Sequence, residues 1–170
     1  SIGASSGLWK ALAEEFKILA SLRHPNIISV LDYGFDGERQ PYYSMELLSQ
    51  PQNVLTYGAN KSEAEKINLI IQMLQALAYL HRRGIIHRDL KPDNALVVDG
   101  QVKVLDFGLA VTRQKGAEDD IPAGTLHYMA PEVLNGAEIT SSADLYAVGV
   151  MAYELLAGAY PFNRKKHLEN

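Results

Sequence analysis

The sequence predicts an α+β protein, because helical and extended patterns occupy separate stretches of the chain. Residues 62–84 carry the pattern of a capped amphipathic helix, and residues 95–108 indicate a β-hairpin. Two further extended runs lie at residues 27–35 and 41–48. The 170 residues are 47% hydrophobic, which is enough to bury a core as one domain or as part of a larger one.

The first element in chain order is an amphipathic helix over residues 8–22, where apolar residues from Trp9 to Leu19 recur at helical spacing. The "HPN" stretch that follows ends this helix. The two short strands come next, and Asp36-Gly37 offers the turn between them.

The long central helix is the most clearly marked element. Ser62 and Glu65 form a capping box ahead of it, and Gly84 supplies its stop. In the hairpin, Asp99-Gly100 is the preferred two-residue turn between valine-rich runs. The polar, breaker-rich stretch "VTRQKGAEDDIPAG" after the hairpin predicts a long loop.

The most apolar stretch of the chain covers residues 143–158. Asp144 and Glu154 interrupt it, and it is too short to span a bilayer, so we expect a buried core helix there rather than a membrane segment. The N-terminal residues lack the basic start and long apolar core of a signal peptide.

The composition excludes several classes of function. A formal net charge of -4 gives no electrostatic reason to expect nucleic acid as the main partner. The chain has no cysteine, which excludes disulfides, thiolate chemistry and cysteine-based zinc sites. This is compatible with the reducing cytoplasm, which is the expected location.

One stretch carries charge where its neighbours are apolar. "HRDLKPDN", residues 87–94, places Arg88, Asp89, Lys91 and Asp93 between two apolar runs. Charges held against a core are costly unless they are paired or used, so a chemical role is one reading of this stretch. A polar turn between two elements is the other.

Two further motifs favour the chemical reading. "DFG" follows the hairpin at residues 106–108, and "APE" follows the long loop at residues 130–132. In this order the three motifs resemble the signature of eukaryotic-like (Hanks-type) protein kinases. The resemblance implies a kinase-like α+β fold with a partial small lobe, residues 1–47, and an incomplete helical large lobe, residues 48–170. The helix at 8–22 would be the family's helix C and the apolar helix its helix F.

The resemblance also implies a catalytic apparatus for phosphoryl transfer from ATP. Asp89 would be the catalytic base, and Lys91 would place a positive charge beside the transferring phosphate. Asn94 and Asp106 would hold Mg²⁺ through hard oxygen ligands.

The implied nucleotide site draws on both lobes. Glu15 would pair with the lysine that the family carries on its third strand, and Met45 would be the gatekeeper residue. Adenine would hydrogen-bond to the backbone of Glu46 and Leu48, and Leu96 would complete the nucleotide site.

The same motifs bear on the substrate. Lys91 in "DLKPDN", together with "GTLHYMAPE", resembles Ser/Thr kinases rather than Tyr kinases, so the expected partners are proteins that carry Ser or Thr. The short loops are compatible with a bacterial kinase. Further domains in the parent protein are left open.

The sequence also departs from the family pattern. "GASSG" at residues 3–7 lacks the family's glycine-rich motif, and Lys10 is too close to Glu15 to be the strand lysine. We therefore expect a piece of a kinase domain truncated at both ends and inactive in isolation. A nucleotide-binding pseudokinase or docking module is the alternative that stays open.

Two of the polar residues have a structural interpretation rather than a chemical one. The resemblance indicates that Asp144 anchors the backbone of residues 87–89, and that His87 packs and hydrogen-bonds rather than binding metal. The remaining histidines share no ligand spacing and are expected in turns or on the surface: His24, His81, His127 and His167.

Overall fold

The computed structural model describes residues 17–37, 41–105 and 126–162. The predicted positions of Glu15, Asp106 and the long loop lie outside these ranges. In chain order the elements are the helical residues 17–21 (α1), strands Val30–Phe35 (β1), Pro41–Met45 (β2) and Gln52–Asn53 (β3), helices Val54–Gly58 (α2) and Glu63–His81 (α3), strands Ala95–Val98 (β4) and Gln101–Val104 (β5), and helices Pro131–Leu134 (α4) and Ser141–Ala157 (α5).

Both predicted ends of α3 are confirmed. The Ser62 side chain accepts a hydrogen bond from the Glu65 amide, and the Glu65 carboxylate accepts one from the Ser62 amide. At the other end Gly84 adopts a left-handed φ of 73°, and its amide donates to the carbonyl of His81 at 2.9 Å. The Ile85 amide reaches back to the Leu80 carbonyl, which completes a Schellman motif.

The strands form two antiparallel sheets, one of β1 and β2 and one in the order β3-β4-β5. The predicted hairpin turn is confirmed, since Asp99 and Gly100 both have positive φ, 49° and 81°. The sequence reading missed β3, α2 and α4. Each has at most five residues, too few to show a period.

The core lies where α3 packs against α5 and β5. These elements contribute fully buried side chains such as Met73, Leu80, Val104 and Met151. α5 is thus the core helix that its apolar sequence predicts. Within the described residues, no helix is both long and apolar enough to cross a membrane.

Gln72 on α3 ties the hairpin to the segment that precedes β1. Its Oε1 accepts hydrogen bonds from Asn26 Nδ2 and from the Val102 amide, each at 2.8 Å, and its Nε2 donates to the Gly100 carbonyl at 3.0 Å. Asn26 Nδ2 also donates to the Val102 carbonyl. One side chain therefore fixes two neighbouring segments relative to α3.

We predict that Gln72→Leu lowers the free energy of unfolding by about 2 kcal/mol, because it leaves the Val102 amide without its acceptor and the Asn26 amide with one acceptor fewer. Urea denaturation of the natural full-length protein measures this. Gln75→Leu is the matched control, since Gln75 lies exposed on the same helix. An equal effect of the two substitutions would contradict the role assigned to Gln72.

Candidate active site

The charged stretch at residues 87–94 forms the connection between α3 and β4. It ends in a short 3₁₀ helix, Pro92–Asn94. Leu90, Pro92 and Ala95 are buried, so apolar side chains alternate with the charged ones and hold this loop against the core. Rigid support of this kind is what a catalytic loop needs.

Asp144, in the first turn of α5, fixes the start of this loop. Its side chain is 1% exposed; Oδ2 accepts from the His87 amide and Oδ1 from the Arg88 amide, each at 2.9 Å. Arg88 has a φ of 72°, a left-handed conformation that costs a non-glycine residue about 1 kcal/mol or more. The two charge-assisted hydrogen bonds hold the backbone there, which confirms the anchoring role expected of Asp144.

His81 is a further partner of the buried Asp144 carboxylate. The prediction that His81 lies in a turn or on the surface is wrong. It lies in the last turn of α3, and its Nε2 is 2.7 Å from Asp144 Oδ2. The missed signal was Asp144 itself, because a buried carboxylate needs a polar partner and spacing alone does not show which one.

His87 is buried in the core, as expected. Its Nε2 donates a hydrogen bond to the Leu105 carbonyl at 2.8 Å, since a carbonyl oxygen only accepts. Burial lowers the pKa of His87 below its usual 6.5, although the nearby carboxylate of Asp144 opposes the shift. The imidazole is therefore neutral at pH 7 and serves as a fixed donor beside the loop.

Asp89, Lys91 and Asn94 lie close together in the loop, where Asn94 is buried and the other two side chains are partly exposed. Lys91 Nζ lies 3.0 Å from Asp89 Oδ2, while Asn94 Nδ2 donates to the Asp89 carbonyl at 2.8 Å and lies 3.4 Å from Oδ2. Asp89 Oδ1 is buried and makes no hydrogen bond within the described part of the chain. Within the described residues the carboxylate is thus held through Oδ2 alone.

Asn94, the predicted metal ligand that the structure describes, fits that role. Asn94 turns its amide nitrogen to Asp89, so its carbonyl oxygen, a hard ligand suited to Mg²⁺, points the other way. Asp106, the second predicted ligand, lies outside the described residues. Among residues 17–37, 41–105 and 126–162 there is no cluster of three or more acidic or histidine side chains that could hold a metal.

The "LHYMA" segment, residues 126–130, lies against the same loop. Tyr128 and Ala130 line a small cleft together with Arg88 and Asp89. The hydroxyl of Tyr128 donates to Glu154 Oε2 on α5 at 2.7 Å. α5 therefore anchors both the charged loop and the segment that faces it.

The predicted nucleotide residues follow β2. Met45 ends that strand, Leu48 packs against the core, and the Glu46 amide donates to the Ser29 carbonyl at 3.0 Å. We call residues 46–48 the hinge. The Glu46 carboxylate lies 2.9 Å from Lys103 Nζ on β5.

Leu96 on β4 lies next to the ion pair of Lys103 with Glu46. It is the direct cross-strand partner of Lys103, so both side chains lie on one face of the sheet. The structure thus places Leu96 beside Lys103, which contacts the hinge, while the roles of these residues stay predictions. Lys103 and Ser29 are hinge contacts that the sequence reading missed, because no motif marks them.

Comparison with known proteins defines the class of this chain. The family model described as the protein kinase domain matches residues 3–170. The chain therefore belongs to the protein kinase domain family, as the three motifs indicated.

The relatives are protein kinases from eukaryotes and bacteria. The chain is 36% identical to an Aurora kinase of Schizosaccharomyces pombe over 92% of its own length and 44% of the relative. It is 35% identical to Aurora/IPL1-related protein kinase 2 of Caenorhabditis elegans, over 95% of the chain and 53% of the relative. It is 38% identical to a probable serine/threonine-protein kinase PknB of Lactococcus lactis, over 85% and 24%. The chain thus spans about half or less of the length of these relatives.

We predict that Asp144→Asn lowers the free energy of unfolding by about 2–4 kcal/mol, because an amide group presents a donor where the loop backbone needs an acceptor. Chemical denaturation measures the loss. Asp99→Asn, the same change in the exposed hairpin turn, is the control and should stay within about 0.5 kcal/mol of wild type. A loss at Asp144 no larger than that of the control would contradict the anchoring role.

The neutral state of His87 predicts a pH dependence. Its folded pKa lies below 6.5, so in the window under pH 6.5 the unfolded state binds more protons and stability falls as the pH falls. His87→Gln keeps a side-chain donor but does not titrate. The free energy of unfolding, measured at pH 7.5 and at pH 5.5, should therefore fall less in the variant. Equal losses in the two proteins would refute the assignment.

Proposed function

We propose that this domain transfers the γ-phosphoryl group of ATP to serine or threonine hydroxyls of protein substrates. The observation that carries the proposal is the Asp89 carboxylate, held by Lys91 and Asn94 on a rigid loop inside a protein kinase domain. Relatives such as the Lactococcus lactis protein are named serine/threonine-protein kinases, which supports the choice of hydroxyl.

In the proposed reaction Asp89 is the catalytic base. The substrate hydroxyl donates a hydrogen bond to the Asp89 carboxylate, whose Oδ1 has no hydrogen-bond partner within the described residues. As the hydroxyl oxygen bonds to the γ-phosphorus, the bond from that phosphorus to the β–γ bridging oxygen breaks and ADP leaves. The hydroxyl proton passes to Asp89. The protein would contribute mainly by positioning the reactants, because phosphoryl transfer requires little covalent chemistry from its side chains.

Charge on the transferring phosphate is met by cationic groups. Lys91, fixed against Asp89 Oδ2, presents its ammonium beside that carboxylate, where the phosphate oxygens would lie. Asn94 and Asp106 would hold Mg²⁺, which neutralises phosphate charge when bound. Since the carboxylate and the ammonium occupy one loop, the base and the cation keep a fixed separation.

For ATP, the hinge would provide the adenine contacts. Adenine would bond to the backbone of Glu46 and Leu48, and within the described chain the Leu48 amide donates no backbone hydrogen bond. Met45 and Leu96 would supply apolar contact to the base, and Glu15 would pair with the strand lysine of the family pattern. The proposed location is cytoplasmic, with which the cysteine-free composition is compatible.

We predict that Asp89→Asn lowers the rate of phosphate transfer by about 10²-fold or more in the natural full-length protein, because the base is lost. Transfer of radiolabelled phosphate from ATP to Ser/Thr of the protein or of a generic protein substrate measures it. Asp99→Asn is the control and should retain full activity.

Two outcomes would overturn the proposal. If Asp89→Asn transfers phosphate as fast as Asp99→Asn, Asp89 is not the base. If wild type binds an ATP analogue but transfers no phosphate, the domain is a nucleotide-binding module.

A further inference from the structure

We propose that Lys103 is a positioning residue for the nucleotide, which acts by holding the hinge through its ion pair with Glu46. The proposal rests on the nucleotide site described above. Within the described residues, no hydrogen bond or ion pair joins the Lys103 side chain to the loop at residues 87–94 or to the hinge backbone. Its effect would therefore pass through the Glu46 side chain alone.

The ion pair is shielded from water more than an ordinary surface pair. Lys103 Nζ and Glu46 Oε1 are 2.9 Å apart, and the two side chains are 15% and 32% exposed. The hydrogen bond from Lys103 lowers the pKa of the Glu46 carboxyl, so this group is ionised at pH 7. A short, half-buried pair of this kind restricts both side chains more than an exposed pair does.

Ser29 contacts the same hinge residue through its backbone. The Glu46 amide donates to the Ser29 carbonyl at 3.0 Å, and the Ser29 amide donates to Glu46 Oε1 at 3.3 Å. The preceding residue, Ile28, donates its amide hydrogen to the carbonyl of Val104, the neighbour of Lys103 in β5, at 3.0 Å. The contacts therefore close a ring that runs from the hinge through residues 28–29 to β5 and back through the Lys103 side chain.

The ring fixes the Glu46 peptide before a nucleotide arrives. A preorganised hinge loses less conformational freedom when adenine bonds to it. Without the Lys103 ammonium, the Glu46 carboxylate would keep only the longer bond to Ser29 and would turn toward water. We therefore expect weaker nucleotide binding with unchanged chemistry, because the Asp89, Lys91 and Asn94 contacts do not involve Lys103.

The experiment compares variants of the natural full-length protein. Lys103→Met removes the charge and keeps the stem, Lys103→Arg keeps the charge, and Glu46→Gln removes the acid. The matched control is Lys61→Met, which breaks the ion pair of Lys61 with Glu65 on the α3 surface, 3.8 Å apart. The measurements are the dissociation constant of ADP by calorimetry, and the KM for ATP and kcat of phosphate transfer.

We expect Lys103→Met to raise the dissociation constant of ADP and the KM for ATP about three- to tenfold, with kcat within about twofold of wild type. Lys103→Arg should restore most of the affinity, and Lys61→Met should change nothing. The double variant Lys103→Met/Glu46→Gln should bind no more weakly than the weaker single variant, because both remove one interaction.

An unchanged or lower dissociation constant in Lys103→Met would overturn the positioning role, as would a fall in kcat with KM unaltered. The proposed function is tested separately, on the wild-type protein. If wild-type protein binds ADP but transfers no phosphate, the binding comparison still decides the role of Lys103. If wild type binds neither ADP nor ATP, the nucleotide site and the Lys103 proposal fall together.

Discussion

The buried carboxylate of Asp144 is the constraint on which the candidate active site depends. Its two oxygens accept hydrogen bonds from the His87 and Arg88 amides, and His81 adds a third partner. A buried charge without such partners would be too costly to keep. Because the acid sits on the core helix α5, the position of the loop is set by the packing of the whole helical core. The left-handed backbone at Arg88 exists only because this packing enforces it.

α5 supports the site in a second way. Glu154, near its other end, accepts a hydrogen bond from Tyr128 in the segment that faces the loop at residues 87–94. The two acids that interrupt this apolar helix thus anchor two different segments, one at each end. Their positions show how a core helix can serve as a scaffold: apolar side chains fix the helix, and a few polar ones fix what surrounds it.

The hinge depends on a separate set of contacts. Gln72, Asn26 and Ser29 connect α3, the segment before β1 and the hairpin, and the ion pair of Lys103 with Glu46 closes the connection. The start of the loop at residues 87–94 is therefore anchored from α5, with further hydrogen bonds that join His87 and Asn94 to Leu105 just after β5, whereas the hinge is anchored from β5 itself through Lys103. This separation is the physical reason to expect nucleotide affinity and transfer rate to respond to different residues.

The sequence by itself determined the local features of this protein. The capping box at Ser62, the Asp99-Gly100 turn and the apolar helix are set by interactions between near neighbours, and the ordered motifs gave the family and the candidate residues Asp89, Lys91 and Asn94. Only the tertiary structure decided which partners the buried groups take. His81 pairs with Asp144 across 63 positions, and Lys103 with Glu46 across 57. Such pairs leave no signal in the neighbouring sequence, because the side chains meet only after the helices and strands have packed. The local pattern that predicts each helix or strand therefore does not predict its long-range contacts.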